Sequence, residues 1–383
     1  MPEKHNVERR ERYAAAVEQL GNANAPVRLG GVYALVSLVD EWLREENIEY
    51  NERIAEGQVI INILCAYIRS PFALVSRYDE LIQDAPTAEC LYKNREQEFY
   101  IDKAGLESEK KVRLSIIKEI RSRLQGSKEN TPGAWSDFEY DFSGSIFFYP
   151  VDFTHSYYAK PVNFSGSAYW GEADFRGSVY RCAAAFNSSA YRYWVDLRGS
   201  TYQGAADFGG SAYQYWADFR GSTYRRWAYF NDSICCGWVG LSHSIYEGEA
   251  DFSGSIFCSD IYFGQDGDNS SFSRFTGCAP QFYDETNHKN TLFGSHNNDF
   301  TVENSRGYPI YHGFEGLPLR CCFLAEAQEE YLSGIFKEIE ETREKLLTTE
   351  RFQEKIGLPG KLRAFNTALH EWREKVTTAQ RTR

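Results

Sequence analysis

The stretch Val195-Asp-Leu-Arg-Gly-Ser-Thr-Tyr-Gln-Gly-Ala205, Ala206-Asp-Phe-Gly-Gly-Ser-Ala-Tyr-Gln-Tyr-Trp216, Ala217-Asp-Phe-Arg-Gly-Ser-Thr-Tyr-Arg-Arg-Trp227 is one eleven-residue phrase written three times. Followed outward, the phrase sets a phenylalanine or leucine every eleven residues from Phe142 to Phe263. A serine stands three residues after each ring from Ser145 to Ser255, and a large side chain, usually tyrosine, stands five after it. A unit this short cannot bury its own apolar face, so it must stack on its neighbours as a solenoid.

Eleven is odd, and side chains alternate along a strand, so a turn has to absorb one residue per unit. Each unit reads as two five-residue halves plus one extra residue, Trp227 in the last phrase quoted, which we place at the corner after the tyrosine. The surface positions repeat at 22 rather than 11. Arg176, Arg198 and Arg220 follow the ring in one alternate set, and Ser165, Asn187, Gly209 and Asn231 in the other. Before the tyrosine position, Val179, Thr201 and Thr223 alternate with Ala168, Ala190, Ala212, Ile234 and Ile256. Trp194, Trp216 and Trp238 share one set, and Trp227 breaks the rule. Two units therefore make one coil. The expected fold is α+β: a parallel β-helix of about 22 residues per coil and roughly six coils, near 30 Å long at the strand spacing of stacked sheets. The five-residue halves resemble those of the pentapeptide-repeat proteins, and that resemblance implies a right-handed, four-sided coil with Phe219, Tyr224, Ala217 and Ser222 inward and Asp218, Arg220 and Thr223 outward.

Two surface columns are candidate partner-binding sites. Asp174, Asp196 and Asp218 lie two residues from the arginines, so that column is either a self-neutralising charge ladder or, with Arg225 and Arg226, a strip for an anionic partner surface. Tyr193, Trp194, Tyr215, Trp216 and Trp238 gather at one corner, either as an exposed interaction patch or as packing against the helical segments.

The flanks divide into residues 1–136, helical; 137–282, the β-helix; 283–318, an irregular Asn/Asp/Gly/Ser-rich loop; and 319–383, helical again. In the first, helices are expected near residues 6–20, from Asn24 as cap with Pro26 in the first turn, at 58–69 up to Pro71, and at 108–125, with a short one near 77–83. Gly30 and Gly31 within the second imply a close helix crossing. Arg28 and Arg113 read as helix-end or surface ion pairs. At the C-terminus, Leu324, Ala327, Tyr331, Ile335 and Ile339 form one stripe. After a Gly357–Gly360 break, Leu362, Phe365, Leu369 and Trp372 form another. These helices either cap the open end of the rod, whose edge strands invite association, or offer a homodimer surface.

Composition narrows function. The net charge of −12, concentrated between residues 137 and 318, argues against direct nucleic-acid binding. Nine cysteines without CxxC spacing, and a charged start lacking the core of a signal peptide, indicate a reducing cytoplasm. No uninterrupted apolar run reaches the roughly 20 residues of a membrane span. Asp284, His288, His296 and Asp299 match no metal-ligand spacing, and Cys235 and Cys236 read as small core fillers. No histidine recurs with the repeat serines, so they have no positioned base. No catalytic residue, cofactor site or metal site is expected.

The repeat also resembles the pentapeptide-repeat proteins. Glu11-Arg12-Tyr13, Ala16–Gly21, Val27–Leu35 and Val59–Arg69 are similar to the helical segment that a bacterial branch of that family pairs with eleven-residue repeats. The likeness covers about residues 8–70 and 137–263. It implies a right-handed four-sided β-helix and no agreed enzymatic activity. Many members place membrane helices ahead of this segment; this chain starts directly at it, so anchoring is not implied. Another branch mimics DNA and binds gyrase, but with regular five-residue coils. The expected function is a non-enzymatic scaffold that binds another protein; a DNA-mimic regulator of a topoisomerase is the alternative, and an enzyme the least favoured.

Overall fold

The computed structural model describes residues 2–86, 91–264, 272–348, 368–369 and 371–377. Between Tyr140 and Phe275 the chain winds through two-residue strands that form four parallel sheets, the four sides of a β-solenoid. Side 1 runs from Tyr140–Asp141 to Ala250–Asp251, side 3 from Val151–Asp152 to Ile261–Tyr262, and side 4 from Tyr157–Tyr158 to Arg274–Phe275, each with six strands. Side 2 begins at Ile146–Phe147 and has eight strands. Partners are 22 residues apart, as in Ala190 against Ala212 and Val195 against Ala217, so two units make one coil.

The odd residue of the period is absorbed between the ring and the serine, not after the tyrosine. The second residue past each ring from Phe142 to Phe252 takes a left-handed φ, +65° at Gly199 and +68° at Gly221, with His155, Ser188, Asp232 and His243 adopting the same conformation. That turn resets the alternation, so Phe219, Ser222 and Tyr224 all point inward and are buried. The extra residues after the tyrosine simply widen the corner.

The serine has a fixed task. Ser178 Oγ accepts the N–H of Ser156 (3.2 Å) and donates to the carbonyl of Phe153 (3.0 Å), two backbone groups of the preceding coil. Ser200 and Ser222 repeat both bonds in their coils. Ser145 and Ser156, in the first coil, have no coil before them, and their buried hydroxyls lack a partner. Inside, rings stack column by column: Phe153 on Phe175 at 5.5 Å, Tyr180 on Tyr202 at 4.8 Å and Tyr202 on Tyr224 at 4.9 Å, each nearly parallel. Neighbouring columns meet edge to face, as Phe164 and Phe175 do. Cys235 is buried in a tyrosine position, and a small void lined by Tyr213, Phe230 and Phe252 remains beside it.

Register in the sequence fails after Phe263, but the coil path does not. Arg274 pairs with Ile245, Leu292 with Ile256, Asp299 with Tyr262 and Val302 with Ser273. Ser273 inherits the serine bridge to Ser244 and Leu241, and Phe282, Phe293 and Phe300 extend the ring stacks. Residues 283–318, expected as an irregular loop, thus contribute to one further, irregular coil with insertions.

The N-terminal helices are α1 (Pro2–Leu20), α2 (Ala25–Arg44), α3 (Tyr50–Arg69), a 3-10 turn (Ala73–Arg77), α4 (Tyr78–Leu81) and α5 (Glu96–Leu124). α3 and α5 begin earlier than the apolar spacing suggested. A Cβ at Gly31 would lie 2.7 Å from the Ala16 carbonyl, which confirms a close α1–α2 crossing there, whereas Gly30 has room. Asn24 holds the cap position of α2 without a side-chain capping bond. Arg113 is buried, not superficial: it pairs with Glu109 at 2.7 Å and donates to the Ile68 and Ser70 carbonyls, closing the C-terminus of α3. Arg28 reaches the same Glu109 at 3.3 Å. The stretch Tyr50–Leu81 is apolar and long enough to cross a membrane by composition, yet it is divided among α3, the 3-10 turn and α4. Its Ile60, Ile61, Leu64 and Ile68 are core residues.

This bundle covers the first coil. Arg69 pairs with Asp141, Gln58 bonds both ways with the backbone of Glu139, and Phe138 packs where Gly57 lacks a side chain. Helix and rod share one continuous core. At the other terminus α6 (Glu326–Thr348) lies along the outside of side 2, where Leu324, Leu332 and Ile335 join Ile234, Ile256, Leu292 and Leu369. It also meets α4. Ala327 and Tyr331 are exposed, so Leu332 takes the inward role expected of them, and Tyr331 stacks on Trp372. The Gly357–Gly360 break, Leu362, Phe365, the Ile339 side chain and Cys90 lie outside the described residues.

The buried hydroxyls of Tyr180, Tyr202, Tyr224 and Tyr246 lack partners, while Phe275 occupies the same column without one. Tyr202→Phe should therefore raise the unfolding free energy by about 1 kcal/mol. Denaturant melts measure it; a loss of stability would mean that the hydroxyl is bonded.

Candidate interaction surface

Arg176, Arg198 and Arg220 form one column at the corner between sides 3 and 4, and each folds back on the aspartate two residues before it. Arg198 Nε and Nη2 donate to Asp196 at 3.0 and 2.6 Å, and Arg198 Nε lies 3.4 Å from Asp218 of the next coil. Arg176 repeats the arrangement with Asp174 and Asp196, and Arg220 grips Asp218. The carboxylates hold the guanidinium pKa of Arg176 and Arg198 above its usual value.

The aspartates were expected in solvent. Asp196 and Asp218 are instead only 2% and 1% exposed. Their side chains do point off side 3, but the arginine forks and the adjacent aromatic column close over them. Only the carboxylates are removed from water, since the Arg198 and Arg220 side chains remain 40% and 25% exposed, and losing the arginine would leave a buried carboxylate without its partner.

The ladder has a fourth rung that does not come from the repeat. Position 154 is threonine where arginine is due, leaving Asp152 without its fork. Arg121 of α5 fills the gap, with Nη1 2.7 Å from Asp152 and Nη2 donating to Thr154 Oγ1 at 2.6 Å. The missing arginine was visible in the aligned repeat; which residue supplies it depended on how α5 docks. Beyond Arg220 the aspartate column ends at Gly240, where Trp238 and Arg220 occupy the space of a side chain.

Trp194, Trp216 and Trp238 stack parallel at 5.1 and 5.4 Å along the corner between sides 2 and 3. Their faces cover one another, so the ladder offers its edges rather than a platform for a flat ligand. Tyr193 and Tyr215 stack beside it at 5.9 Å and are 49% and 45% exposed. Trp194 Nε1 donates to Glu172. The arginine and aromatic columns are not separate surfaces: the Arg220 guanidinium lies 5.5 Å over the Trp238 ring and joins them. Trp170 and Arg192 are packed under Tyr78 and Asp79 of α4, whereas Tyr193 and Tyr215 stay open. Arg225 and Arg226 are exposed with Trp227 at the diagonally opposite corner, between sides 4 and 1, away from the arginine column.

The remaining acids do not make a continuous negative face. The outward column of side 1 reads Asp141, Asn163, Ala185, Asp207, Tyr229, Asp251. His288 bonds Tyr283, His296 packs on Phe323, and among the described residues no cluster of metal-ligating side chains forms. The repeat serines direct their hydroxyls into backbone bonds between coils.

These features define a four-sided parallel β-solenoid that carries a neutralised arginine ladder fused to a tryptophan–tyrosine strip. No family model, no curated protein and no solved structure matches the chain.

Burial pushes the carboxyls of Asp207 and Asp251 above the ordinary range, only partly offset by the bonds from Gly209 and from Ser253. A carboxyl raised on folding makes the folded state bind protons more tightly, so stability falls as pH rises through its folded pKa. Asn163 makes the same turn bond without a charge. Asp207→Asn should raise the melting temperature at pH 7 and lose that advantage below about pH 3. An equal gain at both pH values would contradict the assignment.

Proposed function

We propose that this protein is a divergent pentapeptide-repeat protein, acting as a non-enzymatic scaffold that binds a partner protein through the aromatic–arginine strip. The observation that carries the reading is the open pair Tyr193 and Tyr215 beside the stacked tryptophans, bordered by Arg176, Arg198 and Arg220. Tyrosine, tryptophan and arginine are the residues in which binding energy concentrates at protein interfaces. Stacking holds the rings in place before a partner arrives, so little side-chain freedom is lost on binding. Because the arginines are matched by aspartates, the strip favours an apolar and hydrogen-bonding partner surface over a strongly anionic one. Eight free cysteines in the described chain fit a reducing cytoplasm.

The DNA-mimic alternative loses support from the same geometry. Its acids on side 3 are paired rung by rung, and those on side 1 are interrupted by Asn163, Ala185 and Tyr229.

Affinity capture from native lysate with the full chain tests the reading. The double variant Tyr193→Ala/Tyr215→Ala should lose the captured protein at an unchanged melting temperature, while Arg225→Ala/Arg226→Ala at the opposite corner should retain it. Retention by the tyrosine variant, or loss confined to the opposite corner, would overturn the assignment of the face.

A further inference from the structure

The far end of the rod carries a second surface that the strip does not use. Tyr311 to Leu319 form a small hairpin: His312 bridges Pro318, Gly313 N–H donates to the Leu317 carbonyl, and Leu319 N–H donates to that of Tyr311. Gly316 takes φ +77° at the tip, and Leu317 anchors the loop in the core. Phe314 projects from this tip with its ring wholly in solvent, and Tyr308, Tyr311 and Leu319 around it are also exposed. Beside the base of the hairpin lies a cavity of about 340 Å³ lined by Pro280, Phe282, Tyr283, Ile310, Tyr311 and Leu319. A cavity of about 150 Å³ already accepts benzene.

We infer that this end is a twofold homodimer contact in which Phe314 of each copy enters the cavity of the other. Three features select a second copy as the occupant. The knob and a socket large enough for it lie on the same end of one chain, which is the condition for a self-complementary contact. The socket rim carries no unmatched charge against an apolar ring, since Arg320, stacked 4.8 Å over Tyr283, is paired with Glu285 on the same rim. The contact also leaves α6 in place, since Leu332 and Ile335 are already packed on side 2. The dimer surface is therefore this hairpin and its socket, not the C-terminal helices.

Sedimentation of the full chain over a concentration series tests the inference, with the melting temperature as the control for folding. The wild type should dimerise. Phe314→Ser should weaken self-association by about thirtyfold or more with the melt unchanged, because the ring touches nothing in its own chain. Leu319→Glu on the socket wall should weaken the dimer in the same way, since Leu319 is itself exposed and lines the cavity. A wild type that stays monomeric up to its solubility limit, or a dimer indifferent to Phe314→Ser or to Leu319→Glu, would overturn it.

Discussion

At each of the two serine turns in a coil of this solenoid, one N–H and one carbonyl are left out of the ladder, and both are buried. Here a single serine from the following coil satisfies the pair, as Ser178 does for Ser156 and Phe153. That constraint explains the unbroken serine column: the inner corner needs a small hydroxyl that can accept one bond and donate the other, and beyond the regular repeat Thr291 supplies one, donating to the Phe252 carbonyl. It also couples the coils in order, because each serine completes the coil before it. The left-handed residue ahead of the serine sets the inward alternation of everything that follows, so turn, bridge and ring stack depend on one another.

A rod built this way has two open ends and four sides, and the rest of the chain addresses them unequally. The N-terminal bundle closes one end through specific polar contacts. It also continues the rod's own pattern, since Arg121 of α5 serves as the first rung of the arginine ladder. α6 covers side 2 where its outward column turns from alanine to isoleucine at Ile234 and Ile256. Side 3 keeps the arginine ladder, and its border with side 2 keeps the aromatic strip. The distal end finishes in an irregular coil with an exposed phenylalanine. Unlike faces on one scaffold follow from a period of 22 rather than 11, since each alternate unit meets a different neighbour.

Much of this was legible in the sequence because repetition makes a three-dimensional column into a one-dimensional list. The coil length, the inward rings and serines and the grouping of Trp194, Trp216 and Trp238 could all be read directly. Burial of Asp196 and Asp218 could not, because it arises from side chains of two neighbouring columns closing over them. Arg225 and Arg226 were grouped with the arginine column on charge alone, and the corner geometry separates them. The irregular coil was hidden by its insertions: Leu292 lies 36 residues after its partner Ile256, so no fixed spacing reveals the pairing. Of the two readings of Arg113, a helix-end or a surface ion pair, the structure has the first, buried at the C-terminus of α3; the spacing of apolar residues does not report which carbonyls a guanidinium closes.

The central claim is that the structural period is two units. Deleting one whole coil, residues 203–224, brings Tyr202 to Arg225 with every column still on its own side. Deleting one unit, residues 203–213, moves all later columns to the opposite side and takes Ile234 and Ile256 away from the face shared by α4 and α6. Thermal unfolding of the two deletion variants compares them directly. A two-unit period gives a cooperative melt for the 22-residue deletion and loss of cooperative folding for the 11-residue one; equal melts would contradict it.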